Sequence, residues 1–152
     1  MSVSSLPIAK ELYEILKKAE KEIGIKEVQP DEKEIKTFSK LIDDENPLYF
    51  DKYVFPPGYI MNLSNRVLAP IILRTHPLLQ SKLSGYIHVK SEVEFFKPMP
   101  MKKTYKIEIV SSEPVEKRGK KGKYLSVIFK TTIRDKEKEI FAIDNHHFFF
   151  RL

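Results

Sequence analysis

The run Asp43-Asp44-Glu45-Asn46-Pro47-Leu48-Tyr49 sets three carboxylates a few residues ahead of a phenol. A carboxylate can take a proton or hold a water, and a phenol can donate a proton. An acidic residue before Asn-Pro also serves simply to close a helix or a turn, and Tyr49-Phe50 also suits core packing. Other chemistry is restricted. There is no cysteine, which excludes thiolate nucleophiles and disulfides. The four histidines show neither HxxxH nor HExxH spacing, so no metal site is expected. His146 and His147 are neighbours on a predicted strand, so at most one faces inward. His88 falls on the polar face of its strand and His76 precedes Pro77 in a loop; neither reads as catalytic.

The elements that must position these groups divide by halves. Leu6 to Ile23 carries apolar residues at Ala9, Leu12, Tyr13, Leu16, Ala19 and Ile23, which is helix spacing with one buried stripe. Ser5 is its expected N-cap, Pro7 sits in the first turn and Gly24 stops it. A second helix starts at Asp31 with Glu34 as in a capping box, carries Ile35, Phe38, Leu41 and Ile42 as its apolar face, and ends before Asn46-Pro47. A third begins after Pro56-Pro57-Gly58. Tyr59, Ile60, Leu63, Val67, Leu68, Ile71 and Ile72 make it apolar over a broad surface, so it is expected to be buried, with a kink or break at Pro70.

The remainder alternates as strands. Ile87, Val89, Val93 and Phe95 are expected on one face and His88, Lys90, Glu92 and Glu94 on the other. Further strands are expected around Tyr105–Ile109 and Leu125–Ile133 and from Ile140 to Phe150, antiparallel because their loops are short. Phe148, Phe149 and Phe150 cover both faces of the last one. Helices followed by strands argue α+β rather than alternating βαβ.

At 152 residues the chain fits one domain with a core of its own. No apolar run approaches the roughly 20 residues of a membrane span. The N-terminus lacks a signal-peptide pattern, so no membrane association and a cytoplasmic location are expected. The net charge of +6 suits an anionic ligand or nucleic acid, but no RNP-like motif is present, and most of the charge reads as a solvated lysine surface. The dense cluster Lys117-Arg118-Gly119-Lys120-Lys121-Gly122-Lys123 reads as a hairpin tip able to meet a phosphate.

The stretch Phe38-Ser39-Lys40-Leu41-Ile42-Asp43-Asp44-Glu45-Asn46-Pro47-Leu48-Tyr49-Phe50-Asp51 resembles the signature of the MaoC-like, or hydratase 2, family, which reads G-D-x-N-P-L-H at the end of a short helix. Asp44, Asn46, Pro47 and Leu48 fall on motif positions. Pro57-Gly58-Tyr59 resembles the step that opens that family's central helix, and Glu94-Phe95-Phe96-Lys97-Pro98-Met99 resembles the F-x-x-P-V/M step closing a core strand. The resemblance runs from about residue 23 to the C-terminus. It implies a hotdog fold over residues 1–152, an antiparallel sheet wrapped around a long central helix. Residues 1–24 form an added N-terminal helical extension.

The resemblance also implies a reaction, addition or removal of water across the 2,3-bond of an acyl thioester. No cofactor is expected beyond coenzyme A as part of the thioester. Carried over by position, Asp44 is the carboxylate and Asn46, Pro47, Gly58 and Tyr59 are substrate-side positions. Gly58 offers its N–H to the thioester oxygen. The family's catalytic histidine falls on Tyr49. Free Tyr titrates about 3.5 units above free His, so ionising Tyr near neutral pH costs about 5 kcal/mol more, roughly a thousands-fold rate loss. Only eight residues separate Tyr49 from Gly58, where active members carry a longer overhanging segment. Halves of paired MaoC-like dehydratases that lack the pair often read N-P-L-Y, as here.

Three readings follow from the resemblance and the charge. The first is an acyl-CoA-binding subunit, active weakly or not at all alone, beside an Asp/His-bearing hotdog partner. The second is an independent hydratase or thioesterase using Asp44. The third is a nucleic-acid or protein binding module on a re-used hotdog. A homodimer or a heterodimer with another hotdog chain is expected in the first two.

Overall fold

The computed structural model describes residues 6–51 and 54–152. The N-cap expected at Ser5 lies outside them. Helix α1 (Pro7–Ile23) starts at Leu6, with Pro7 in its first turn, and buries Ala9, Leu12, Leu16 and Ala19. Gly24 ends it at φ 60°, donating its N–H to the Glu20 carbonyl, a conformation that favours glycine. A short strand, β1 (Lys26–Val28), leads to α2 (Glu32–Leu41). Asp31 caps α2 by accepting the Lys33 N–H. Glu34 does not complete a capping box; it pairs with Arg66.

Asp43, at φ 55°, turns the chain out of α2, and α3 (Pro47–Asp51) begins on Pro47. A 3-10 turn (Pro57–Tyr59) opens the central helix α4 (Ile60–Arg74). Ile60, Leu63, Val67, Leu68, Ile71 and Ile72 of α4 are buried, each worth roughly 1.5–3 kcal/mol of transfer from water. Pro70 does not break α4; the helix runs four residues past it. The following α5 (His76–Ser81) puts His76 on a helix rather than in the expected loop.

The strands β2 (Gly85–Phe95), β3 (Tyr105–Ser111), β4 (Val115–Gly119), β5 (Gly122–Arg134) and β6 (Ile140–Arg151) complete one antiparallel sheet. Its order is β1-β3-β5-β6-β2, with β4 pairing β5 at the basic hairpin. Tyr105, Ile107, Leu125, Val127, Phe129, Ile133, Phe148 and Phe150 are buried in the core that α1 and α4 share with the sheet. This is the hotdog architecture, α+β with a sheet around a central helix and an added N-terminal helix. The short strand β1 was not foreseen: three residues carry too little alternation to show.

One strand departs from expectation. Val89 is an unpaired bulge between His88 and Lys90, which oppose Phe148 and His147. A bulge reverses the alternation. His88 therefore joins Tyr86, Ser91, Val93 and Phe95 on the concave, helix-facing side, while Ile87, Lys90, Glu92 and Glu94 are convex. The expected polar face with His88 on it does not exist.

Candidate functional site

Residues 42–51 fold back on themselves. The Asp44 N–H donates to the Ser39 carbonyl, and the Tyr49 N–H to the Asn46 carbonyl. Asn46 Oδ1 accepts the Leu48 N–H at 3.0 Å, so its side chain starts α3. The fold-back brings Tyr49 to Asp44: the phenol donates to Asp44 Oδ2 at 2.7 Å. That hydrogen bond, with partial burial and the carboxylate's charge, raises the Tyr49 pKa above 10. Tyr49 is thus protonated at neutral pH and acts as a donor; it is not a base.

Tyr49 lines a cavity of about 420 Å³ together with Val54, Phe55, Pro57, Phe95, Phe96, Lys97, Pro98 and Met99. The walls come from the chain before the 3-10 turn and from the end of β2. They are mostly apolar, and Lys97 stands at the rim, paired with Glu139. A cavity of this size and lining suits an apolar chain with a polar head.

The other predicted positions separate. Asn46 and Pro47 are exposed and shape α3 rather than a pocket wall. Gly58 is exposed beside Pro57 in the 3-10 turn, where N–H groups have no intrahelical acceptor. Its φ is not in the left-handed region, and an added Cβ would meet only the Phe38 ring, Cζ at 3.6 Å and Cε1 at 3.9 Å, so the turn itself does not demand glycine. Tyr59 is not at the cavity. It is fully buried, its ring edge-on to Phe38 and Phe55, and burial foremost, then Glu34, pushes its pKa up to about 12.

A second constellation was missed by sequence reading. Ser64 of α4 donates to Asp144 Oδ2 at 2.8 Å. His146 Nε2 lies 3.1 Å from the same oxygen without hydrogen-bond alignment. Ser91 Oγ bridges His146 Nδ1 (2.9 Å) and His88 Nε2 (3.1 Å). Ser64, Asp144 and His146 are fully buried, and His88 stacks on Phe148 at 4.5 Å. Partial burial first, then His146 nearby, lowers the His88 pKa below 6.5. The signal was present: Ala142, Asp144, His146, Phe148 and Phe150 share one phase of β6. His147 takes the other face and pairs with Glu92 at 2.7 Å.

No described helix is long and apolar enough to cross a membrane, and among the described residues no group of three or more His, Asp or Glu is placed to hold a metal. The basic hairpin tip borders a second, smaller hollow on the convex side, with Lys120, Lys121, Tyr124, Phe149 and Arg151.

No protein-family model matches the chain, and no curated protein is significantly similar to it. Solved structures are. The ChsH1–ChsH2 complex of Mycobacterium tuberculosis contains a chain superposing with TM-score 0.68 at 15% identity, over 93% of this chain and 92% of that one. The C-terminally truncated HadBC complex of the same organism, a 3R-hydroxyacyl-ACP dehydratase, gives 0.63 at 12% identity over 83% and 94%. An Archaeoglobus protein described as a monoamine oxidase regulatory protein gives 0.62 at 16% over 84% and 86%. At these identities the likeness establishes the hotdog fold.

Proposed function

We propose that this chain is a MaoC-like acyl-thioester-binding subunit of the hydratase and dehydratase class. In this reading it holds an acyl-CoA chain in the cavity at Tyr49 and works beside an Asp/His-bearing hotdog chain. The observation that carries it is the hydrogen bond to Asp44 from Tyr49, which lines an apolar cavity, at the positions where the D-x-N-P-L-H motif puts its carboxylate and imidazole. The thioester carbonyl would sit toward Gly58 N–H, and Lys97 at the rim suits an anionic coenzyme. A protonated Tyr49 whose one O–H goes to Asp44 can hold a water by accepting a hydrogen bond from it, but it cannot take up the proton that a neutral histidine would. Loss of the base accounts for roughly 10²–10⁴-fold in rate, so the chain alone is weakly active or inactive. Heteromeric structural relatives such as ChsH1–ChsH2 support a partner.

The test is crotonyl-CoA hydration by the purified chain, with binding of the same thioester followed in parallel. Binding without appreciable turnover is expected. Fast turnover abolished by Asp44→Asn would replace this reading with an independent hydratase, and neither binding nor turnover would overturn the acyl-CoA assignment.

A further inference from the structure

The basic hairpin carries more than charge. Lys120 and Lys121 form its two-residue turn, and Gly122 closes that turn at φ 120°, where a side chain would be strained. Strand register sets what lies behind it. Lys117 of β4, Tyr124 of β5 and Arg151 of β6 lie directly opposite one another, a cation on each side of a ring. In the next row Phe149 lies opposite Ile87. The Tyr124 and Phe149 rings meet at 4.2 Å between centroids, tilted by 32°, and both are half-buried. Ile87 is 51% exposed. The two rings and Ile87 line an apolar hollow of about 260 Å³, with Lys120, Lys121 and Arg151 around it. Gly119 borders the same hollow, where a Cβ would press on Tyr124 Cε1 at 3.3 Å.

The charges are available to a ligand. Lys123 pairs with Glu116 at 2.6 Å, but among the described residues no carboxylate pairs with Lys117, Lys120, Lys121 or Arg151. A hollow that offers ring faces to a flat apolar group, with cations beside it, matches a nucleobase and its flanking phosphates. A base must be unstacked to enter, so a single strand fits and a closed duplex does not. The turn carries only lysine and glycine, with no apolar side chain to enter a lipid surface. The hollow is also no part of the Tyr49 cavity. Phe95 of that cavity lies opposite Ala142, and nine residues of β6, about 30 Å of strand, separate Ala142 from Arg151. The two hollows open on opposite faces of the sheet.

We propose that the chain binds single-stranded nucleic acid at this hairpin. One base lies against Tyr124 and Phe149, and the phosphates beside it meet Lys117, Lys120, Lys121 and Arg151. The inference rests on the convex hollow and its cations alone, so its test stands apart from thioester binding.

The test is fluorescence anisotropy of a labelled uridine oligomer of about twelve nucleotides with the full chain. Binding is expected at about 50 mM salt and should weaken with added salt at a log–log slope of about 3, from four phosphate contacts at about 0.7 each. Tyr124→Leu and Phe149→Leu should each weaken binding about tenfold, and Tyr124→Phe should bind as the native chain does, because stacking needs the ring and not the hydroxyl. Lys120→Glu combined with Lys121→Glu should weaken binding at least tenfold and lower the slope. Inorganic polyphosphate, which has phosphates and no bases, should bind without responding to Tyr124→Leu. Saturating crotonyl-CoA should not displace the oligomer. Circular dichroism of each variant reports folding independently. The proposal is overturned by absence of binding, by binding indifferent to both leucine variants, or by tighter binding of a duplex. It is equally overturned if ADP binds as tightly as the oligomer, if crotonyl-CoA displaces it, or if phosphatidylserine vesicles are bound in its place.

Discussion

Tyr49 Oη donates to Asp44 Oδ2 at 2.7 Å across a five-residue fold-back. The two side chains that the motif sets apart for proton transfer therefore meet, and they meet as donor and acceptor. The phenol's raised pKa follows: ionising it would place two negative charges in contact and break the hydrogen bond. Spectrophotometric titration should find Tyr49 among the tyrosines that ionise above 10 in the folded chain, together with the buried Tyr59 and Tyr105, and Asp44→Asn should bring one of these transitions back toward 10. If Asp44→Asn leaves every tyrosine transition in place, the contact does not persist in solution. Tyr49→Phe should cost no more than about 1 kcal/mol of stability, since water can reach both groups.

Gly58 gives a sharper discrimination. Its backbone is open to an L residue and its Cβ site is in ordinary contact range, so Gly58→Ala should fold with stability unchanged or raised by up to about 1 kcal/mol. Should the Gly58 N–H approach a thioester oxygen, the added methyl crowds that approach and thioester affinity falls at least tenfold. Calorimetric titration with crotonyl-CoA beside a urea melt separates the two effects. An unchanged affinity would remove Gly58 from the site.

How far the sequence revealed this arrangement depends on how local each signal was. The stripes of α1 and α4 and the alternation of β5 and β6 are repeated many times along the chain, and they appear where expected. The bulge at Val89 was not legible, because a one-residue insertion leaves no local mark when polar and apolar residues sit on both sides of it. Missing it assigned His88 to the wrong face and hid the chain of contacts from His88 through Ser91 to His146. Tyr59 looked like a site residue because it follows Pro57 and Gly58 in the stretch that carries the resemblance; only the packing of Phe38 and Phe55 around it shows a core role. The Asp44–Tyr49 contact needed a fold-back whose geometry lies in Asp43's positive φ and the Asn46 turn, and the separation in sequence alone does not fix it.

The buried set on β6 predicts a stability effect. Ser64 satisfies one oxygen of a carboxylate that has no exposure. Deleting that donor leaves a buried acceptor short of a partner, which costs about 1–3 kcal/mol. Ser64→Ala should lower the urea midpoint accordingly without changing the slope. A change below about 0.5 kcal/mol would mean that a water substitutes for the hydroxyl.

Asp135 supplies the pH dependence. It accepts from Lys103 Nζ at 2.8 Å and from the Glu139 N–H at 2.9 Å at the β5–β6 turn. The lysine's hydrogen bond, more than the turn N–H, holds its pKa below 3.8, although burial opposes this. Between its folded and unfolded pKa values the unfolded chain binds more protons than the folded one, so stability rises with pH there. The contribution is present in full above about 3.8 and is lost as pH falls through the folded value. Lys103→Met removes the main cause, so the Asp135 pKa rises and acid unfolding begins at higher pH than in the native chain. Asp135→Asn should abolish this segment of the pH–stability curve while Lys103→Met in that background adds no further shift. Circular dichroism between pH 2 and 5 at low ionic strength reads both, and coincident acid transitions in the native and Lys103→Met chains would show that the pair does not couple to folding.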